Sequence, residues 1–196
     1  MRYEAGHKER TRARILGAAA RLLRREGFRG ASVERVMRRA GLTVGGFYGH
    51  FGSKGALVAE TLRGFMRARA ASWLEGLDAL RGRAWGEAFL LRYLNPAQRD
   101  DPEHGCLLPS VLSDLAQGKA EVRQVVVEEL EALVRGMSPG LGDGAEATAR
   151  QRALALFVLS VGGLAVARAT RRTALSGEVL EACLAFAREA LGSAQR

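Results

Sequence analysis

Apolar residues recur with the period of an α-helix along almost the whole chain, and this pattern restricts the possible folds more than any other feature. In RTRARILGAAARLLRREGF the apolar stripe is formed by Ile15, Ala18, Ala19, Leu22 and Leu23. These positions share one face at 3.6 residues per turn. No segment shows the two-residue alternation that is typical of a half-buried strand. The sequence therefore predicts an all-α fold of about nine helices.

Glycine, serine and proline positions predict where the helices begin and end. We expect Gly27 to end the first helix in a left-handed cap and Ser32 to cap the second. A third helix is expected from Thr43 and a fourth from Ser53. The segments PAQRDDPEHG and SPGLGDG predict loops. The last two helices are expected at residues 147–170 and 178–191.

The excess positive charge lies entirely in the first quarter of the chain. Residues 1–54 contain 13 Lys or Arg and 4 Asp or Glu, whereas residues 55–196 contain 17 of each sign. This asymmetry favours a polyanion as partner, because Lys and Arg release the counterions that are condensed on a nucleic acid. Charge alone leaves DNA, RNA, an anionic membrane and a solvated face without any partner as alternatives.

Six glycines occur in GLTVGGFYGHFGSKGAL, residues 41–57. Two short helices joined by a glycine-containing turn form a helix-turn-helix, whose second helix enters the major groove of DNA. We expect Gly41 to form that turn. On a helical wheel Phe47 and Phe51 share a face, and Gly45 and Gly49 lie almost opposite. The phenylalanines would anchor the helix, and its bare opposite face would allow a close approach to DNA.

Side chains around this bare face divide into base-reading and phosphate-binding candidates. Thr43 and Val44 are expected to contact base edges, with Val44 suited to a thymine methyl group. Tyr48, His50 and Lys54 are expected to contact phosphate, and Lys54 adds its charge to the positive end of a helix. The alternative for Tyr48 and His50 is that both cover the small core.

The run from Arg12 to Leu57 resembles the N-terminal domain of the TetR family of transcriptional regulators. The resemblance rests on RARILGAAARLLRREGF followed by SVERVMRRAGLTVGGFYGHFGSKGAL. It implies a DNA-binding domain over residues 1–54, an effector-binding and dimerisation domain over residues 55–196, and a repressor that an effector releases from a palindromic operator. The candidate DNA contacts are Arg12, Ser32, Thr43, Val44, Gly45, Tyr48, His50 and Lys54.

Two positions depart from the pattern of the family. Val44 stands where a basic or polar residue is common, and Gly49 stands where a large residue is common. Both departures imply few base contacts.

By the same resemblance, the last two helices of each subunit form a four-helix homodimer interface, and the fourth to seventh helices enclose an effector pocket. The interface candidates are Leu156, Leu159, Gly162, Gly163, Leu180, Leu184, Ala187 and Leu191, with a core helix of a monomer as the alternative. The pocket candidates are Trp73, Trp85, Phe89, Tyr93 and Leu112, each of which also fits an ordinary core. Few charges interrupt these segments, which favours an apolar or aromatic effector.

Cys106 is the candidate for a thiol-based alternative. It begins CLLPSVLSDLA, so we expect a helix N-terminus to lower its pKa and to make its thiolate reactive towards oxidants or electrophiles. The resemblance adds that some members of the family sense thiol chemistry through a cysteine in a similar GCLL setting. A small, buried and inert residue is the alternative, and Cys183 is expected to be inert.

Other classes of protein are disfavoured. The histidines at positions 7, 50 and 104 lack metal-ligand spacing and no G-x-S-x-G motif is present, so we expect no catalytic residue, metal or cofactor. The first helix lacks the Trp and Phe of an anionic-membrane binder. The uncharged run 153–167 is too short for a membrane span. The two distant cysteines and the absence of a signal-peptide pattern predict a cytoplasmic protein.

Overall fold

A computed structural model describes residues 2–101, 105–142 and 146–192, which excludes His104. Over these ranges the chain forms nine α-helices and one 3-10 helix, without a strand, which confirms the predicted all-α class. The α-helices are α1 (Arg2–Gly30), α2 (Val33–Arg39), α3 (Lys54–Leu74), α4 (Gly82–Tyr93), α5 (Pro96–Asp100), α6 (Leu108–Ala116), α7 (Ala120–Leu141), α8 (Glu146–Ala169) and α9 (Ala174–Gly192). The 3-10 helix Val44–Gly49 lies between α2 and α3.

The chain divides into two compact units. The first contains residues 1–67 and 110–129, and the second contains residues 68–109 and 130–196. The predicted functional boundary at residue 54 lies elsewhere and stays a prediction.

The first unit is organised around α1, α2 and the 3-10 helix. Gly27 has a φ angle of 63° and interrupts α1 at the predicted position, but the helix continues to Gly30 and does not end there. Ser32 caps α2, because its Oγ accepts a hydrogen bond of 3.3 Å from the backbone N–H of Arg35. Ser53 likewise accepts from the N–H of Ala56 at 3.0 Å, at the start of α3. The fully buried core side chains include Ile15, Leu23, Val36, Met37, Phe47 and Leu57.

In the second unit α8 and α9 pack against each other and both pack against α4. Glycines allow this close packing: a Cβ atom at Gly86 would collide with the side chain of Leu191. A Cβ atom at Gly163 would lie 2.7 Å from the sulfur of Cys183. Gly163 is therefore used inside the subunit, whereas Gly162 has no atom within 4 Å of the corresponding position.

Three local predictions were wrong. The helix from Thr43 is a 3-10 helix rather than an α-helix. The predicted loop PAQRDDPEHG begins with the short helix α5, in which Asn95 accepts a hydrogen bond of 3.0 Å from the N–H of Gln98. The predicted loop SPGLGDG is helical as far as Leu141, with Pro139 inside α7. Tertiary packing explains the last case, because Leu141 is fully buried and Gly140 lies directly against the ring of Trp85.

Helix α8 is long and apolar enough to cross a membrane if length and composition alone are considered, with a mean hydropathy of 1.6 over Ala147–Ala169. Its packing fits a different role. Ala153, Leu164 and Ala167 are fully buried against the rest of the second unit, as expected for the central helix of a helical core.

Candidate nucleic-acid interface

The turn and the 3-10 helix place a short element at the surface of the first unit. Gly41 has a φ angle of 67°, which favours glycine, and its N–H bonds to the carbonyl of Arg38 at 3.0 Å. Thr43 occupies the N-cap position of the 3-10 helix without a capping bond from its side chain. Its hydroxyl is therefore available at the exposed N-terminus of the element.

Two phenylalanines hold the 3-10 helix in place. Phe47 is fully buried, Phe51 is nearly so, and their rings stack with centroids 5.7 Å apart. Full burial of such a side chain contributes roughly 1.5–3 kcal/mol, which exceeds the roughly 1 kcal/mol that a glycine costs in a helix. The anchor therefore offsets the weak helical propensity of VGGFYG.

The opposite face is nearly bare backbone, as predicted. A Cβ atom at Gly45 or Gly49 would have no atom within 4 Å. Beside them Tyr48 is 71% exposed, with its ring edge against Phe47, and Val44 is 42% exposed. This face, which we call the recognition face, consists of Thr43, Val44, Gly45, Tyr48 and Gly49. It exposes the side chains of Thr43 and Val44 and the phenol of Tyr48 around the bare backbone of the two glycines.

Arg12, a half-buried residue of α1, holds the end of this element in place. Its guanidinium lies 4.3 Å from the centroid of the Phe51 ring, donates to the carbonyl of His50 at 2.6 Å and forms an ion pair with Glu60. These contacts give Arg12 a positioning role. Its contact with DNA stays a prediction.

The sequence did not indicate the hydrogen-bond partner of Lys54 or the partial burial of His50. Lys54 donates from Nζ to the carbonyl of Phe28 at 2.7 Å, so it caps the end of α1 as well as beginning α3. His50 is half-buried, and its Nδ1 is buried without a hydrogen-bond partner in the described part of the chain. This placement favours the alternative in which His50 covers the core.

Apart from Arg12, the arginines of α1 were not singled out from the sequence. Arg14 donates to the carbonyl of Ala40 at 2.6 Å and so joins α1 to the turn before the recognition face. Helical spacing was the available signal, because Arg10, Arg14 and Arg21 fall on one side of α1. Near the end of α1, Glu26 accepts a hydrogen bond from Arg35 of α2, and this bond lowers the pKa of the Glu26 carboxyl group.

The effector-pocket candidates separate into two groups. Trp73, Trp85, Phe89 and Tyr93 are buried in the second unit as one aromatic cluster, with centroid distances of 4.6 Å between Trp73 and Tyr93 and 5.4 Å between Trp85 and Phe89. Leu112 belongs to the first unit and is exposed. Its place in an effector pocket therefore stays a prediction.

Cys106 differs from the predicted reactive thiol. Its side chain is fully buried, and that burial raises its pKa, although a hydrogen bond from the Tyr93 hydroxyl at 2.9 Å acts in the opposite direction. It also precedes the first residue of α6, Leu108, rather than beginning the helix. The predicted lowering of its pKa by a helix N-terminus was wrong, because desolvation of the thiolate outweighs the favourable dipoles. Burial raises the pKa of Cys183 as well.

The segment around Cys106 is fixed by Arg168. This guanidinium donates to the carbonyls of Cys106 and Gln98, each at 2.7 Å, and the N–H of Cys106 donates to the Gln98 side chain at 3.1 Å. Burial lowers the pKa of Arg168. A Cβ atom at Gly105 would collide with this guanidinium, so glycine at position 105 allows Arg168 to make these hydrogen bonds.

The interface candidates on α8 and α9 also fall into two groups. Leu156, Gly163, Leu180, Ala187 and Leu191 are buried within the subunit, whereas Leu159 and Leu184 are half-buried and Gly162 is exposed. Apolar residues that were not selected are far more exposed, notably Val158 at 66% and Phe186 at 64%. These two line an apolar groove of about 360 Å³ between α8 and α9.

The all-α fold and the turn that precedes the 3-10 helix are features of helix-turn-helix transcriptional regulators. Residues 15–61 match the sequence profile of bacterial regulatory proteins of the tetR family. This match confirms the resemblance drawn from the sequence: the chain carries the N-terminal domain of that family. No curated protein sequence matches the chain.

Solved structures show that the fold extends over nearly the whole chain. The reduced form of NemR from E. coli is 24% identical, with a TM-score of 0.76 over 91% of this chain and 95% of that chain. A transcriptional regulator from Rhodococcus sp. Rha1 is 24% identical, with a TM-score of 0.72 over 92% and 95%. FadR from Bacillus subtilis, solved in complex with stearoyl-CoA, is 16% identical, with a TM-score of 0.66 over 88% and 97%.

Proposed function

We propose that the chain is a homodimeric, cytoplasmic transcriptional repressor that binds a palindromic operator and is released by a small-molecule effector. The observation that carries this proposal is the recognition face, a glycine-lined 3-10 helix anchored by Phe47 and Phe51. It lies in the part of the chain that carries the whole excess of positive charge.

The residues of the recognition face and those that support it have different roles in this proposal. Thr43 and Val44 read base edges, since both are exposed at the N-terminus of the 3-10 helix. Tyr48 donates its hydroxyl to a phosphate, and the open backbone at Gly45 allows the helix to approach the groove closely. Lys54 uses one of its three donors on Phe28 and keeps others for phosphate. Arg12 and Ser32 act by positioning these groups.

The homodimer is supported by the outward faces of α8 and α9. Val158, Phe186 and Gly162 are exposed in the single subunit, and a contiguous apolar face of this kind marks an interaction surface. A second copy would cover it with the same face, because a two-fold dimer is self-complementary. Two recognition faces would then meet two half-sites of a palindrome.

The effector site is proposed at the aromatic cluster of the second unit. Trp73 has a buried indole N–H without a hydrogen-bond partner among the described residues, which leaves a polar group that a ligand acceptor would satisfy. The surrounding rings of Phe89 and Tyr93 favour an apolar or aromatic body. FadR, which has the same fold, was solved with stearoyl-CoA, a ligand that also combines an apolar part with polar groups.

A thiol-sensing repressor is the second candidate. The hydrogen bond between the Tyr93 hydroxyl and the sulfur of Cys106 favours it, because this donor stabilises a thiolate. The burial of the sulfur acts against it. Treatment of the DNA complex with N-ethylmaleimide separates the two candidates: release that Cys106→Ser abolishes supports the thiol mechanism, and retention of DNA supports the non-covalent effector.

Selection of bound sequences from a random DNA pool, with sedimentation of the complex, tests the proposed function. We expect a palindromic consensus bound by two copies of the chain, with an affinity that falls steeply as salt increases. A consensus without two-fold symmetry, a monomer on DNA, or a complex insensitive to salt would contradict the proposal.

A further inference from the structure

A groove on the first unit lies beside the recognition face and has a charge of one sign. It has a volume of about 750 Å³ and runs between α1 and the turn that follows α2. The charged residues that line it are all arginines: Arg10, Arg14, Arg21 and Arg39. We call it the arginine groove.

The other residues that line the arginine groove are small. Ala13 and Gly17 come from α1, and Ala40 and Gly41 come from the turn. Because none of these four has a long side chain, they leave room for a chain-like ligand beside the arginines. The guanidinium groups match phosphate oxygens in geometry and charge.

The length of the groove fits a strand of nucleic acid. Arg10 and Arg21 are 11 residues apart on α1, which is about 16 Å along the helix axis. One DNA strand places a phosphate about every 3.4 Å along the duplex axis. The stretch between these two arginines therefore matches about five nucleotides.

The groove is also continuous with the recognition face. Gly41 lines the groove, and Thr43, two residues later, begins the 3-10 helix. Arg14 fixes this junction through its bond to the carbonyl of Ala40. A duplex seated on the recognition face would thus pass from it directly to the groove.

We infer that the arginine groove binds the sugar-phosphate backbone of the DNA that flanks each half-site, outside the bases read by the recognition face. The inference rests on the proposed DNA-binding function. Arg10 and Arg21 supply the phosphate contacts, and Arg14 positions the turn. The groove adds affinity and salt dependence but no base preference, because phosphate contacts carry no sequence information directly.

The test compares the double variant Arg10→Gln with Arg21→Gln against the wild-type chain on the selected operator. Each phosphate that the protein no longer neutralises lowers the slope of log Kd against log salt by about 0.9, so we expect the slope of a dimer to fall by about 2 to 4. At 0.1 M salt Kd should rise at least about tenfold, while the selected consensus stays the same. On wild-type protein, extending the duplex by about 6 base pairs on each side should strengthen binding, and in the double variant this gain should vanish.

A matched control removes the same charge elsewhere. Arg123 and Arg135 are exposed on α7, and changing both to Gln should leave the salt slope and the flank effect unchanged. Equal slopes for the wild type and the groove variant, or an equal decrease in the control, would overturn the inference while the proposed function stands. A wild-type chain that binds no DNA would overturn both. Thermal melting of each variant establishes that it folds.

Discussion

Because glycine has no side chain, Gly45 and Gly49 leave the backbone of the recognition face exposed. In the free protein this openness carries a cost, since glycine loses more conformational freedom on folding than any other residue. No atom lies near the Cβ position at Gly45 or Gly49, so packing within the subunit does not require glycine at either position. A requirement for glycine would have to come from the molecule that approaches this face.

Gly45→Ala therefore has opposite effects on stability and on DNA binding. We expect the free energy of unfolding to be unchanged or to rise by up to about 1 kcal/mol, while Kd for the operator rises about tenfold because a methyl group separates the backbone from DNA. Urea denaturation and fluorescence anisotropy measure the two quantities.

Gly64→Ala is the control for this variant. Gly64 lies in α3, and a Cβ atom there also meets no atom within 4 Å. It should show the same small effect on stability and no change in Kd. If Gly45→Ala bound the operator as tightly as Gly64→Ala, the close approach of the 3-10 helix to DNA would be excluded.

Among the elements, the end of α1 depends on three side chains from two other helices of the first unit. After the interruption at Gly27, the N–H of Phe28 donates to Asp114 at 2.6 Å, and its carbonyl accepts from Lys54 at 2.7 Å. Ser110 donates its hydroxyl to the carbonyl of Arg24 at 2.7 Å. These bonds join α6 and α3 to α1, because the last turn of a helix has carbonyl groups without partners of its own.

Asp114→Ala should weaken this junction. The variant leaves the N–H of Phe28 without its acceptor, and we expect the free energy of unfolding to fall by about 1–3 kcal/mol in urea denaturation. Asp114→Asn retains a carbonyl oxygen at the same position and should lose less. An alanine variant as stable as the wild type would show that water replaces the carboxylate at no cost.

Local chemistry explains which element boundaries could be predicted from the sequence. Gly27, Ser32, Gly41 and Ser53 act within three or four residues of themselves, so their positions sufficed to place the interruption of α1, the two caps and the turn. The extension of α7 through Pro139 was missed because the contact between Gly140 and Trp85 joins residues far apart in the sequence.

The same reasoning applies to the candidate sites. The anchor formed by Phe47 and Phe51 followed from helical spacing, whereas the partners of Arg12 and Lys54 did not, since a long side chain can reach any of several neighbours. The sign of the pKa shift at Cys106 was missed for a related reason. Sequence placed it near a helix N-terminus, but its complete burial is a property of the packed unit.

For the molecule as a whole, the faces of α8 and α9 determine the proposed assembly. Phe186→Glu should be harmless to the subunit, because Phe186 is 64% exposed there, but it would bury a charge in a dimer interface. We expect a monomer in analytical ultracentrifugation and at least about a hundredfold weaker binding to a palindromic operator. Val127→Glu is the control, since Val127 is 53% exposed on α7. A dimeric Phe186→Glu variant would place the interface elsewhere.

The shortness of the 3-10 helix limits how much information each subunit can read. Six residues at about 2.0 Å per residue give a length of about 12 Å, which corresponds to between three and four base pairs. Two subunits would then distinguish on the order of 10⁴ different sequences, whereas a genome offers about 10⁶ or more competing sites. A DNA sequence of this length therefore recurs many times in a genome by chance. The spacing between the two half-sites and the ease with which the intervening DNA bends must supply the remaining specificity.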